Sequence, residues 1–484
     1  MSRTDAAVSR AQVTADRSVV AADPAVAATG PPAPPLLRDP LLVAYLFLVV
    51  STLLPARLIV GPLGGLGAPA VILIIGSTAL YGLALLLPGT LAGGFQPVRF
   101  GLLLYWVAML VGFGVSQTNT LSGVGSAASL RVILVKTGLV ALGLIVADGV
   151  RSRQHLDRLI SLIVTAGAGV ATLGIVQFLT GLAPDTYIRV PGLMLQEVEI
   201  SVERSIFTRV QATTLHPIEF GVILAVVLPL ALHLALHGTT AGPPSRWRWL
   251  PVLLILVATP MAVSRSSVLG IAVGGALIAI TWSGRLRLSA AVGGVVLLFA
   301  MRAAFPGLLG TLRSMFVYAG DDPSVEARTD DYPLIAEMFA ERPWLGHGMG
   351  SLVPSESFYV DNEYLITVVT TGLLGVTALI VLLLIGIGTG RGVYHHSSDD
   401  RARALGQALA AATAVSAVTW TTYDGMGFRF NAGLAMLIIG AAGALWRLEV
   451  GTPSWGRAIN RERPVIEKLE RKERSSEAMR SARA

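Results

Sequence analysis

Apolar runs of about 20 residues, each long enough to cross the hydrocarbon core of a bilayer as a helix, recur along this chain from Leu41 to Trp446. Inside lipid, backbone polar groups must be hydrogen-bonded within helices or closed barrels. Hydrophobic residues make up 53% of the sequence and charged residues only 14%, which is outside the composition of water-soluble domains. The sequence therefore predicts an all-α polytopic membrane protein.

Twelve transmembrane helices are predicted from these runs and from the polar segments between them. Their approximate positions are 41–60, 68–88, 100–117, 132–149, 157–180, 216–237, 248–264, 266–283, 286–304, 362–388, 402–420 and 427–446. If residues 248–283 formed a single re-entrant unit instead, the number of membrane crossings would change. Gly270 and Gly274 are four residues apart and predict a face for close helix packing.

The distribution of positive charge predicts the orientation. Residues 1–39 are predicted to form a disordered tail, 40–447 the membrane domain and 448–484 a basic tail. Lys and Arg concentrate in both tails and in the even-numbered connections, so both termini are predicted to be cytoplasmic. The long connections 181–215 and 305–361 then lie outside. The formal charge of +7 is explained by this topology and does not indicate nucleic acid.

The longest polar stretch of the chain runs from Glu326 to Leu374. It contains charged residues, a predicted short amphipathic helix from about Tyr332 to Ala340, and a glycine-rich turn at 342–350. Its polar part ends at Asp361-Asn362-Glu363-Tyr364-Leu365, where a new apolar run begins. A carboxylate at the mouth of a membrane helix, beneath a large outer loop, predicts a reaction centre on the extracytoplasmic side.

Two arginines on the predicted outer side are candidates for binding phosphate. Arg209 precedes the sixth predicted helix, and Arg265 separates the seventh from the eighth. Guanidinium groups bind phosphate through paired, planar hydrogen bonds. The alternative is that each side chain extends to the lipid headgroups. Positively charged residues of membrane proteins concentrate on the cytoplasmic side, so arginines on the outer side are unusual. Both residues are also flanked by small hydroxylated residues. We therefore predict that they neutralise a diphosphate.

Asp361 is the candidate general base, because an ionised carboxylate can accept a proton from a sugar hydroxyl. The alternatives are that Asp361 only caps the following helix, or that His347 is the base. Arg328 is predicted either to bind sugar hydroxyls or to solvate the loop. The sequence has no cysteine and no metal-ligand spacing, so no cofactor or metal is predicted.

Several polar residues within the predicted helices have no predicted role in a reaction. Lys136 and Gln177 are predicted to face a helix interface or a cavity, because a polar group facing lipid is costly. His233 and His237 fall at predicted cytoplasmic helix ends, where they are predicted to be interface residues.

Four separated segments, in this order, resemble the O-antigen ligase/polymerase superfamily of bacterial membrane glycosyltransferases. They are Ile175–Gly181, Arg209–Pro217, Ser264–Ser267, and Arg342–Gly350 with the following Asp361–Leu365 and Thr371–Gly375. The resemblance implies transfer of a glycan from a polyprenyl diphosphate, such as undecaprenyl diphosphate, to an acceptor hydroxyl at the outer face of the bacterial inner membrane.

The resemblance also implies residue roles. Arg209 and Arg265 would hold the diphosphate, and Asp361 occupies the position of the family's catalytic histidine. The residues predicted to bind substrate are Arg328, His216, His347, Asn362 and Tyr364. Aspartate in place of histidine favours a polymerase of surface polysaccharide repeats. The alternatives are a ligase that attaches glycan to a lipid or protein acceptor and a lipid-linked oligosaccharide flippase.

Overall fold

The computed structural model describes residues 39–87, 89–119, 121–196, 203–204, 207–243, 245–317, 331–353 and 358–450. Both predicted tails lie almost entirely outside these residues, and so does Arg328. The described chain is a bundle of α-helices with two very short two-stranded sheets at its loops, which confirms the all-α class.

The helices are numbered in chain order. Their bounds are Leu42–Leu53 (α1), Pro69–Leu86 (α2), Pro97–Thr118 (α3), Gly123–Gly149 (α4), Arg153–Thr180 (α5), Pro184–Tyr187 (α6), Pro217–His237 (α7), Trp249–Ala258 (α8), Arg265–Ala279 (α9), Gly284–Ala304 (α10), Leu308–Val317 (α11), Tyr332–Glu341 (α12), Glu363–His396 (α13), Asp400–Thr419 (α14) and Arg429–Glu449 (α15). Helix α12 confirms the amphipathic helix predicted in the large loop.

The strands and 3-10 turns are short. Strand β1 (Leu58–Ile59) pairs antiparallel with β2 (Met194–Leu195), and β3 (Glu203–Arg204) pairs with β4 (Phe207–Thr208). Single 3-10 segments are found at Gly61–Gly67, Arg246–Arg248 and Thr259–Ala262. The β1–β2 pair joins the connection after α1 to the connection between α6 and α7.

Every predicted membrane span contains a helix of the structure. Eight helices among the described residues are long and apolar enough to cross a bilayer, namely α2, α3, α4, α5, α7, α10, α13 and α15. Helices α1 and α9 are apolar but shorter. The helix is interrupted between α8 and α9, and α9 begins at Arg265, the residue predicted to separate the two spans. A multi-pass membrane protein is thus supported, and the count of twelve crossings stays a prediction.

The centre of the bundle is formed by α7 and α15, which are almost completely buried, whereas α10 is exposed along its length. Helix α9 packs against α7 and α14 through its small residues. A Cβ atom added at Gly270 would lie 2.8 Å from Cβ of Ala225, and one added at Gly274 would lie 2.9 Å from a methyl group of Val415. The predicted glycine packing face is therefore confirmed.

Helix α13 is interrupted near its start by Gly372, which has φ 65° and ψ −164°. The glycine-rich turn of the large loop inserts its backbone at this break, so loop hydrogen bonds replace those of a continuous helix. These bonds join His347 N to Val369 O at 2.9 Å, Gly348 N to Thr370 O at 3.0 Å, Leu373 N to Pro343 O at 2.8 Å and Leu374 N to Trp344 O at 3.2 Å. The backbone of the turn thus supplies the hydrogen-bond partners at the break in α13, the helix whose start carries the candidate site.

Replacing Gly372 by alanine should destabilise this junction by roughly 1–3 kcal/mol, because a side chain is strained at positive φ. The added Cβ would also collide with the backbone of Trp344. Gly388 lies further along α13 with open space at its Cβ position, so Gly388→Ala is the matched control. Thermal unfolding in detergent should show a lowered midpoint for Gly372→Ala alone. Equal midpoints for both variants would contradict the proposed role of the break.

Candidate active site at one end of the bundle

Four chain segments meet at the end of the bundle where α7, α9, α13 and α15 begin. They are the loop that carries Arg209, the turn before Arg265, the start of α13, and the connection between α14 and α15. Hydrogen bonds between these segments fix their relative positions, as described below. The structure thus brings three of the predicted site residues, from distant parts of the sequence, to one junction.

A buried glutamine shapes the loop that carries Arg209. The side-chain oxygen of Gln177, near the end of α5, accepts hydrogen bonds from the backbone N–H groups of Gln211 (3.2 Å) and Ala212 (2.7 Å). Ala212 has a positive φ of 51°, so this loop conformation needs such support. Arg209 is 6% exposed, and its Nε donates to Ala262 O at 3.2 Å. This hydrogen bond links Arg209 to the turn that precedes α9.

Arg265 is the first residue of α9, and no acidic residue lies in the first turn of that helix. Helix α15 also begins with an arginine, Arg429, but there the buried carboxylate of Glu219 accepts the N–H groups of Phe430 (3.2 Å) and Asn431 (3.3 Å). The positive end of α15 is thus compensated within the protein. At α9 the guanidinium adds to the positive end of the helix dipole, a combination that attracts anions.

The connection between α14 and α15 links α9 to the start of α13. Thr422 Oγ1 donates to Ser266 Oγ, in the first turn of α9, at 2.7 Å. Asn362 Nδ2 donates to the neighbouring Thr421 O at 2.9 Å. Asp361 precedes Asn362, so the candidate base lies at the same junction as the first turn of α9.

The N-cap of α13 is Asn362, whose Oδ1 accepts hydrogen bonds from the N–H groups of Tyr364 (3.0 Å) and Leu365 (3.2 Å). The alternative that Asp361 caps this helix is therefore wrong. Asp361 is half-buried and lines a small pocket together with Tyr332 of α12 and Thr421. This position leaves Asp361 as the candidate base.

The other predicted binding residues support the backbone of the junction. Tyr364 donates its hydroxyl to Ala417 O at 2.6 Å, which holds α13 against α14. His216 is the N-cap of α7, where its Nδ1 accepts the N–H of Ile218 at 3.1 Å. These contacts give both residues a role in positioning the site, and direct contact with substrate stays a prediction for them.

His347 belongs to the turn that inserts at the break of α13, and its side chain contacts α12. Its Nε2 is 2.7 Å from Met338 O in α12, and its carbonyl oxygen accepts the side-chain N–H of Asn119, just after α3, at 2.7 Å. His347 Nε2 also lies 3.8 Å from the carboxylate of Glu341, so both of these contacts of the imidazole are with α12. Asp361, in contrast, adjoins Asn362, which is hydrogen-bonded to the connection that contacts the first turn of α9.

The sequence did not reveal a buried charged cluster beside Asp361. Glu363 is 1% exposed, and its carboxylate contacts Lys136 Nζ at 3.3 Å and accepts the N–H of Met426 at 2.9 Å. Burial and the neighbouring Glu363 carboxylate raise the pKa of Asp424 well above its usual range. The cluster joins α4, α13 and the connection before α15. Two sequence features could have indicated this cluster. They are the single lysine, Lys136, within an apolar run and the glutamate, Glu363, two residues after Asp361.

Residues 250–380 match a family model described as O-antigen ligase. The match confirms the resemblance to the O-antigen ligase superfamily. The matched range includes Arg265, His347 and Asp361, whereas Arg209 precedes it. The superfamily points to a membrane glycosyltransferase of the O-antigen ligase/polymerase type. No curated protein matches the chain.

Proposed function

We propose that this protein transfers a glycan from a polyprenyl diphosphate to an acceptor hydroxyl at the extracytoplasmic membrane surface. The observation that supports this most strongly is the junction of the Arg209 loop, the first turn of α9 and the start of α13. It brings together two guanidinium groups, the N-terminus of α9 and a carboxylate. This is the charge pattern needed to hold a diphosphate leaving group next to an activated hydroxyl.

The proposed role of the arginines is electrostatic. Breaking the bond between the sugar and the diphosphate leaves negative charge on the phosphate oxygens, and fixed guanidinium groups in a partly dehydrated site stabilise that charge. Arg209 is buried and immobilised through Ala262 O, so it is already oriented before the substrate binds. Among the described residues, no three His, Asp or Glu side chains are grouped as metal ligands.

An apolar groove of about 440 Å³ adjoins the pocket of Asp361 and supports a lipid-linked donor. It runs between α12 and α13 and shares Tyr332, Ile335, Asn362 and Leu365 with that pocket. Phe339 and Val368 extend the groove away from the junction. We propose that the isoprenoid chain lies along this apolar wall while the diphosphate reaches the arginines.

Asp361 is the proposed general base. Its carboxylate would accept the proton of the acceptor hydroxyl while that oxygen forms a bond to the anomeric carbon and the diphosphate leaves. A carboxylate in place of histidine favours repeated addition of polysaccharide units, whereas the description of the matched family favours ligation to a separate acceptor. Polymerisation is our first proposal and ligation the second.

The decisive experiment is glycan transfer by the purified protein in proteoliposomes with a polyprenyl-diphosphate donor, in the presence of EDTA. A ladder of products would support a polymerase, and a single addition to a lipid or protein acceptor would support a ligase. Movement of the donor across the bilayer without transfer would overturn the enzyme proposal in favour of a flippase. Loss of transfer in EDTA would overturn the metal-independent mechanism.

Replacing Arg265 by glutamine should reduce the transfer rate roughly 10²–10³-fold, the effect of removing one preorganised charge-stabilising donor. Arg265→Lys should restore only part of this loss, because an ammonium group cannot form the paired, planar hydrogen bonds. Arg302 is exposed near the end of α10 and provides the control variant Arg302→Gln. Equal transfer rates for Arg265→Gln and Arg302→Gln would contradict the assignment.

A further inference from the structure

A second cavity, of about 390 Å³, lies at the opposite end of the bundle from Arg265. It is enclosed by the last residues of α7 and α9, the end of α13 and the start of α14. Helix α7 has 21 residues and connects the two ends, so they are about 30 Å apart at 1.5 Å per residue. The residues used below are His233, His237, Trp282, Asp400, Arg403 and Gln407.

His233 is a buried polar side chain on the wall of this cavity. It is 4% exposed, and its Nδ1 makes no hydrogen bond to any residue that the structure describes. Its ring stacks on that of His237, with the ring centroids 5.3 Å apart and the planes at 17°. Because a buried polar atom without a partner is costly, we infer that His233 has a hydrogen-bond partner in the cavity when the site is filled.

Arg403 provides the positive charge at the same cavity. Its Nε donates to Tyr394 O at 3.0 Å, and its guanidinium carbon lies 5.2 Å from the centre of the Tyr394 ring. Its Nη1 contacts Asp400 at 3.3 Å, but the Asp400 side chain is 91% exposed, so this pair is weak. Nη2 makes no hydrogen bond within the described part of the chain. The arginine is thus held in place and can still donate.

Gln407 also lines the cavity, but its amide already has hydrogen-bond partners within the protein. Gln407 donates to Leu277 O at 2.6 Å and accepts from Arg391 at 2.8 Å. The other polar side chains on the wall include Arg403, two imidazoles and Asp400, whose carboxylate is largely exposed to solvent. A planar guanidinium group and imidazole N–H donors are suited to bind a phosphate group. Trp282 supplies an apolar surface for the rest of such a ligand.

We propose that this cavity binds the phosphate of a phosphate ester, either an anionic phospholipid headgroup or a soluble compound. Basic pockets between membrane helices near the bilayer surface are suited to such headgroups. Arg403 and His233 would donate to the phosphate oxygens, with the His233 proton on Nδ1. The site is separate from the transfer site and does not depend on the function proposed for it.

The test is native mass spectrometry of the full-length protein in detergent, titrated with phosphatidylglycerol or with phosphatidylcholine, with inorganic phosphate as a competitor. Arg403→Gln and His233→Phe should each weaken phosphatidylglycerol binding about tenfold to a hundredfold, the effect of losing one hydrogen bond to a charged group. Arg246, exposed in the turn before α8, is the control, and Arg246→Gln should bind as the wild type does.

Each outcome has a defined meaning. Loss of phosphatidylglycerol binding in Arg403→Gln supports the proposal even if His233→Phe does not fold. In that case, competition by inorganic phosphate identifies the phosphate as the recognised group, and lack of competition identifies the lipid headgroup. Arg403-dependent binding of inorganic phosphate without lipid binding supports a soluble ligand. Wild-type affinity in Arg403→Gln, or no phosphate or lipid binding by the wild type, would overturn the proposal.

Discussion

Replacing Asp361 by asparagine should lower the rate of glycan transfer roughly 10²–10⁴-fold, which is the usual contribution of a positioned general base. Asparagine has nearly the same shape but cannot accept the proton of the acceptor hydroxyl. The cap of α13 is provided by Asn362, so the substitution should leave the start of this helix intact. The measurement is the initial transfer rate in proteoliposomes, together with thermal unfolding to verify that the variant is folded.

His347 provides the matched comparison for this prediction. It belongs to the same loop system, but its side chain contacts Met338 and Glu341 of α12, and its carbonyl oxygen contacts Asn119. We therefore expect His347→Gln to reduce transfer much less than Asp361→Asn does. The reverse order of effects would assign proton abstraction to His347 and leave Asp361 as a binding residue.

Replacing Lys136 by methionine should destabilise the protein by about 3–5 kcal/mol, the usual cost of removing one partner of a buried ion pair. Glu363 is 1% exposed, so the substitution would leave its carboxyl group buried in the bundle without its lysine partner. The measurement is the thermal unfolding midpoint in detergent. Because Glu363 is two residues from Asp361, transfer should also decrease in any Lys136→Met protein that remains folded.

A double substitution separates the charge effect from a simple loss of packing. Combining Lys136→Met with Glu363→Gln removes both charges and should restore much of the lost stability. Asp424→Asn should be tolerated, because the raised pKa of Asp424 means that its carboxyl keeps a proton to higher pH in the folded state. If the double variant were no more stable than Lys136→Met, packing and not the ion pair would explain the loss.

Local sequence features gave much of the candidate site. Arg209, Arg265 and Asp361 were found from their positions at the ends of apolar runs, and the structure brings the elements that carry them together. The supporting residues could not be paired in the same way. Gln177 contacts the backbone of Ala212, 35 residues later in the chain, and Lys136 contacts Glu363 across 227 residues. No short sequence pattern indicates which of two residues so far apart in the chain will be in contact.

The sequence by itself determined the class of the protein and the order of its helices, because lipid requires each crossing segment to be an apolar helix of a minimum length. Only the tertiary structure showed that α13 is broken at Gly372 and that the backbone of the turn after α12 completes it. A glycine in an apolar run is compatible with either a continuous or a broken helix. The choice depends on hydrogen bonds to a segment about 25 residues earlier, and these form only when the chain is folded.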